Sequence, residues 1–154
     1  MAMTLESSAF ENNARVPDRY TCTGGDISPP LAWSGAPART RSFTVLCRDP
    51  DAPGGTWYHW AVFDIPVDQS GLPEAYPKQA RSGGIRQAVN DFRRSGYGGP
   101  CPPPGHGVHH YRFRLLALDV ERLELDRYAK CADVANAAEP HALEEVVLVG
   151  TYSR

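Results

Sequence analysis

The sequence contains no apolar run approaching the twenty or so residues that cross a bilayer as a helix, so no integral membrane segment is expected. It opens Met-Ala-Met-Thr-Leu-Glu, without the basic start and apolar stretch of a secretory leader, which makes cytoplasmic the default setting. A basic excess is missing too. With 16 Lys and Arg against 18 Asp and Glu the net charge is −2, and the arginines are scattered, which argues against a nucleic-acid partner. Only Arg93-Arg94 form a local cluster, and they read as a solvated loop. The four cysteines, at 22, 47, 101 and 131, include no Cys-x-x-Cys. Reduced thiols are therefore expected, with a loop thiolate nucleophile at Cys101 as the alternative. No internal repeat or low-complexity segment occurs. Glycine and proline are plentiful instead, fourteen of each, enough to imply many turns but below the level that signals disorder. A chain of 154 residues can bury about two thirds of its unfolded surface, so residues 1–154 are expected to form one domain.

Apolar periodicity predicts short strands around 5–8, 42–48, 57–65, 108–118 and 145–152, an all-β pattern of packed antiparallel sheets. The exception is 130–145, where Ala132, Ala135, Ala137 and Ala138 favour helix and Pro140 interrupts it. Two short helices or a kinked one should precede the last strand.

The most informative stretch is Gly96-Tyr97-Gly98-Gly99-Pro100-Cys101-Pro102-Pro103-Pro104-Gly105-His106-Gly107-Val108-His109-His110-Tyr111. Prolines fix φ and glycines allow positive φ, so this loop should hold one shape while delivering histidines onto a strand. Alternation then puts His109, Tyr111, Phe113, Leu115 and Ala117 on one face, and His110, Arg112, Arg114, Leu116 and Leu118 on the other. Upstream, the strand Ser42 to Cys47 runs into Arg48-Asp49-Pro50-Asp51-Ala52-Pro53, a turn with two carboxylates between prolines. The strand after it is expected to carry His59, Ala61 and Phe63 on one face. Each unit sets a histidine beside a rigid loop.

These segments resemble the phosphatidylethanolamine-binding protein family. The resemblance rests on Asp49-Pro50-Asp51-Ala52-Pro53, His59-Trp60, Gly99-Pro100-Cys101-Pro102-Pro103 with Gly105, His109 and Tyr111, and Phe113 to Asp119. Ser28 to Trp33 and Leu148 to Tyr152 extend it over nearly the whole chain. It is similar to the compact bacterial branch described as Raf-kinase-inhibitor-like. The resemblance implies an antiparallel β-sandwich with a larger and a smaller sheet and short C-terminal helical elements. It implies a small preformed cavity for phosphate or phospholipid headgroups, with Asp49, Pro53, His59, Pro103, His109 and Tyr111 at the site. Some members inhibit kinases or serine proteases, and bacterial relatives suggest a homodimer. The chain departs from the family's usual pattern at His110, where arginine is common, and in the length of the loop before Gly105.

The residues themselves point to non-enzymatic binding of a small anionic or phosphorylated ligand. Taken with what the resemblance implies, Asp49, Asp51, Pro53, His59, Gly99, Pro102, Pro103, His109 and Tyr111 are the expected contacts. Imidazoles, a phenol and loop N–H groups suit an oxyanion better than an apolar ligand. Asp49 is expected to accept a hydrogen bond from one imidazole and fix its tautomer, and Asp51 is the alternative partner for a ligand ammonium. No cofactor and no resident metal are expected. The alternative is a metal-dependent hydrolase drawing on His59, His106, His109, His110, Asp49 and Asp51.

Overall fold

A computed structural model describes residues 2–154. In chain order the strands are β1 (Thr4–Glu6), β2 (Ala14–Arg15), β3 (Leu31–Ser34), β4 (Ser42–Asp49), β5 (Trp57–Pro66), β6 (Gly71–Leu72), β7 (Arg81–Ser82), β8 (Ile85–Gln87), β9 (His109–Leu118) and β10 (Ala142–Tyr152); the helix α1 (Cys131–Ala138) precedes β10. They form a three-stranded sheet, β1-β3-β6, and a seven-stranded sheet, β2-β10-β9-β4-β5-β8-β7. All pairings are antiparallel except that of β2 with β10. The larger and smaller sheets and the short C-terminal helix match the sequence-based expectation.

The centre of the large sheet is covered on both faces, and the burial of its strands follows from that. On one face Val45, Cys47, Trp60, Val62, Tyr111, Phe113 and Leu115 pack toward Leu5, Leu31, Trp33 and Leu72 of the small sheet. On the other, Leu46, Ala61, Phe63, Leu116 and Leu118 pack under Cys131, Val134, Ala135 and Ala138 of α1. Those helix positions follow an i, i+3, i+4, i+7 spacing, the stripe that buries one helical face. Strands sandwiched this way read as continuous apolar runs, as Phe43 to Cys47 does.

Strand boundaries differ from expectation at the C-terminal end. The helix stops at Ala138, a 3-10 turn over Glu139–His141 carries Pro140, and β10 begins at Ala142 rather than at 145. Pairing of Ala142 with Leu118 and of Glu144 with Ala117 supplies the ladder that overrides local helix propensity.

Two irregularities in the β4–β5 pairing shape the rest. Between Phe43 and Val45 the register shifts, and Asp64 takes φ 59° on the opposite strand. The buried Asp64 carboxylate there accepts from Arg86 Nε at 2.8 Å and from the Leu123 amide at 2.9 Å. Between Cys47 and Arg48 a second shift pairs these residues with Trp60 and Tyr58, leaving His59 as the extra residue of a bulge.

Candidate functional site

The bulge at His59 corrects the expected face. Ala61 and Phe63 face α1, as does Tyr58, whereas His59 lies against Tyr111 on the other face, with ring centroids 5.2 Å apart. Alternation alone would have set His59 with Ala61; one additional residue turns it into the site. The loop after β8 then clamps it. The Gly98 amide donates to the His59 carbonyl at 3.0 Å, and His59 Nδ1 donates to the Gly98 carbonyl at 2.6 Å. A carbonyl only accepts, so the proton sits on Nδ1 and Nε2 carries the lone pair of the neutral ring. Burial lowers the His59 pKa below the ordinary histidine value, outweighing the Gly98 bond and the Asp49 charge, which raise it.

His109, at the start of β9, is fixed from behind. Its Nδ1 donates to Asp49 Oδ2 at 2.6 Å, and both side chains are buried. The other carboxylate oxygen of Asp49 accepts the Asp51 amide at 2.8 Å, closing the turn after β4. Asp49 thus positions His109 and has no oxygen free of a protein donor, in line with the expected tautomer-setting role. Tyr111 lies one alternation further along β9, and burial together with the nearby Asp49 charge pushes its phenol far above the usual tyrosine range.

These groups form the floor of a cavity of about 350 Å³ whose lining comprises Ala52, Pro53, Trp57, His59, Phe92, Cys101, Pro102, Pro103, His109 and Tyr111. The walls are largely apolar. Trp57 and Phe92 stand edge to face at 5.3 Å, and Phe92 meets His59 at 5.4 Å. Among the described residues no lysine or arginine lines the cavity, which leaves imidazole as the lining group able to carry positive charge.

Of the expected contacts, Pro53, His59, Pro102, Pro103, His109 and Tyr111 converge on this cavity, with Asp49 directly behind it. Gly99 and Asp51 do not line it. The Gly99 amide donates instead to Asp26 Oδ1 at 2.7 Å. A Cβ at Gly99 would lie 2.2 Å from the Tyr20 carbonyl oxygen, so its role is close backbone approach. Asp51 sits outside, half exposed, accepting from the His110 amide and from His110 Nδ1, both at 2.9 Å. The His110 bonds hold its carboxyl below the usual range.

Sequence reasoning missed Trp57 and Phe92 as walls. Trp57 opens a strand, where an aromatic reads as ordinary β propensity, and Phe92 lies in a loop without periodicity. It also weighed His106 only as a metal ligand, although His106 Nδ1 lies 2.7 Å from His109 Nε2. Among the described residues no group of three or more His, Cys, Asp or Glu side chains is arranged to hold a metal ion.

The cysteines require a correction. Cys22 and Cys101 form a disulfide, while Cys47 and Cys131 are free and buried. Residues 79 apart in sequence are brought together because the Pro100 carbonyl accepts the Cys22 amide at 3.1 Å and Tyr97 Oη donates to the Tyr20 carbonyl at 2.7 Å. Pairing across that distance is invisible to a spacing argument. The Cys101 sulfur is consequently no free nucleophile, and burial pushes both remaining thiols above the ordinary range.

A two-sheet sandwich with one helix against its larger sheet, His109 held by Asp49, and His59 held by Gly98 beside a proline loop define the architectural class of this domain. The chain belongs to the phosphatidylethanolamine-binding protein family, whose model matches residues 6–153. A UPF0098 protein of Methanothermobacter thermautotrophicus is 48% identical over 153 residues, covering 99% of each chain. The crystal structure of Escherichia coli YbcL, described as a member of the mammalian PEBP family, superposes with a TM-score of 0.93 at 32% identity, covering 100% of this chain and 99% of YbcL. A carboxypeptidase Y inhibitor solved with its cognate proteinase shares the fold at 15% identity, with a TM-score of 0.56 over 99% of this chain and 82% of the inhibitor.

Proposed function

We propose that this chain is a non-enzymatic binding protein for a small oxyanion, a phosphate or a phosphoryl group carrying an apolar appendage, taken up together with a proton. The observation that carries the reading is the convergence of His59, His109 and Tyr111 at the floor of one cavity, with Asp49 fixing the His109 tautomer. The polar atoms gather at the floor and the prolines and aromatics form the walls, the pattern of a pocket that orients one charged end and covers the rest. Binding rather than reaction is supported by what the side chains are already doing. The Cys101 sulfur is in a disulfide, both oxygens of Asp49 accept protein donors, and the Tyr111 phenol is held protonated.

The proton follows from the wiring of His59. Its Nδ1 hydrogen is committed to Gly98, so Nε2 becomes a donor toward an anion only when the ring is protonated. An oxyanion in the cavity raises the His59 pKa that burial had lowered, so between the free-state and bound-state pKa values binding takes up as much as one proton. Affinity therefore rises as pH falls from the pKa of the bound state toward that of the free state, by at most about tenfold per pH unit for one proton.

Calorimetric titration with sulfate, whose charge is fixed across the range, and in parallel with phosphate, tests this. Tighter sulfate binding at about pH 5.5 than at about pH 8 is expected, with net proton uptake visible as a buffer-dependent heat. Absence of binding by either anion at any pH refutes the reading. No helix is long and apolar enough to cross a membrane among the described residues. The disulfide withdraws the support that reduced thiols lent to a cytoplasmic setting and fits an oxidising compartment.

A further inference from the structure

His109 has two ring nitrogens and both are engaged. Nδ1 donates to the Asp49 carboxylate at 2.6 Å, which fixes its hydrogen there. Nε2, the nitrogen a ligand would use, faces His106 Nδ1 at 2.7 Å, with the rings inclined at 61°. With both imidazoles neutral, His106 Nδ1 donates to the Nε2 lone pair, giving a chain that runs from buried Asp49 through buried His109 to exposed His106. We propose that His106 is a tethered competitor for the ligand's place on His109, so that a bound oxyanion and the His106 contact exclude one another. The proposal rests on the oxyanion reading of the cavity and adds a regulator to it.

The local backbone suits such a part. His106 lies between Gly105 at φ 77° and Gly107 at φ 100°, and neither glycine has another group within 4 Å of where a Cβ would stand. The loop is held at its base, where Gly105 donates to the Arg154 carbonyl at 2.9 Å and Arg154 Nε donates to the Pro102 carbonyl at 2.8 Å. Beyond that anchor the imidazole is exposed and bonded through its ring to His109 alone. A side chain attached to a fixed base by two permissive residues can leave without disturbing the fold.

Protonation decides between the two arrangements. One added proton is accommodated, because a cationic imidazole still donates to a neutral one. A second puts hydrogens on both facing nitrogens; the rings must separate, and His109 then presents a donor for an anion. The charged and titratable groups facing this pair are Asp49 at the end of β4, Asp51 on the turn after it with His110 bound to it, Tyr111 beside His109, His59 from β5, and Arg154 at the loop base.

The test compares the whole protein with His106→Ala, using inorganic phosphate as the probe and His110→Ala as a control. Calorimetry at neutral pH should show phosphate binding to His106→Ala about fivefold tighter, the equivalent of one ordinary net hydrogen bond no longer opposing it. The two proteins should converge once the pH is low enough to put a hydrogen on both facing nitrogens, and His110→Ala should match the parent. Nitrogen-15 spectra of the imidazoles should show His106 and His109 titrating as a coupled pair in the parent, and His109 titrating in one step in the variant. Equal or weaker phosphate binding by His106→Ala overturns the competition while leaving the oxyanion reading intact. Phosphate binding to neither protein overturns both.

Discussion

Of two buried imidazoles, His59 is the one whose lowered pKa makes the stability of this protein depend on pH. His59 is only 3% exposed, and burial lowers its pKa below the value of about 6.5 that it regains on unfolding. The unfolded chain then binds more protons than the native one between the folded and unfolded pKa values. Stability is full above about pH 6.5 and falls as the pH drops from there toward the folded pKa. Urea midpoints measured without oxyanions should decline over this interval, and a His59→Gln variant should lose most of that dependence. An equal slope in the variant would assign the effect elsewhere. Asp51 and Glu145, whose pKa values are lowered, act in a separate window: their contributions are present above the ordinary carboxylate range and are lost below it. His109 differs from His59 because removing it strands a buried carboxylate. Asp49 would keep the Asp51 amide and lose the imidazole at 2.6 Å. His109→Ala is therefore expected to cost about 1–3 kcal/mol in denaturant unfolding and to weaken phosphate binding several-fold by calorimetry. Unchanged affinity would place the anion away from this ring.

At the scale of elements, the pocket depends on a strand irregularity and on a loop that must pass very close to its neighbour. The loop's closest approach is at Gly99, where a Cβ would stand 2.2 Å from the Tyr20 carbonyl oxygen and 2.7 Å from Asp26 Oδ1. Gly99→Ala has to push one backbone segment off another, with an expected cost of about 1–3 kcal/mol. Thermal unfolding should report it, and weaker phosphate binding should accompany it because the prolines of the lid move with the loop. The same elements explain what was legible in the sequence. β4 and β9 announced themselves because apolar alternation and a buried run leave marks in composition, and the face carrying Tyr111, Phe113 and Leu115 follows directly from it. β3 was unannounced, four residues whose strand character comes from pairing with Thr4 to Glu6. The face of His59 was misread since a bulge has no sequence signature at this position, only a register shift against Cys47 and Arg48. Gly99 is expected from the sequence as a ligand contact, whereas its amide is taken by Asp26 and its constraint is steric approach to Tyr20, a residue far away in sequence.

The whole molecule is a stack of small sheet, large sheet and helix, and the cavity lined by His59, His109 and Tyr111 sits at the end of the large sheet where β4 ends and β5 and β9 begin. There the packing that holds β4, β5 and β9 rigid ends, and the loops beyond must be secured by other means. The Cys22–Cys101 bond does this, tying the proline loop over the cavity to the turn after Tyr20 and closing a sequence separation of 79 residues. A cross-link of that span stabilises chiefly by restricting the unfolded chain, by about 2–4 kcal/mol. Several contacts hold the same two segments together without it, namely Cys22 to Pro100, Tyr97 to Tyr20 and Gly99 to Asp26. Their presence separates two effects that a disulfide often mixes. If the hydrogen bonds suffice to shape the lid, a Cys22→Ser/Cys101→Ser variant should unfold at lower denaturant concentration yet bind phosphate with nearly the parental affinity. If the bond itself shapes the lid, stability and affinity should fall together. The short reach of those contacts, all between 2.7 and 3.1 Å, favours the first outcome. Urea unfolding paired with calorimetry on the double variant, and on the parent with and without reductant, distinguishes the two.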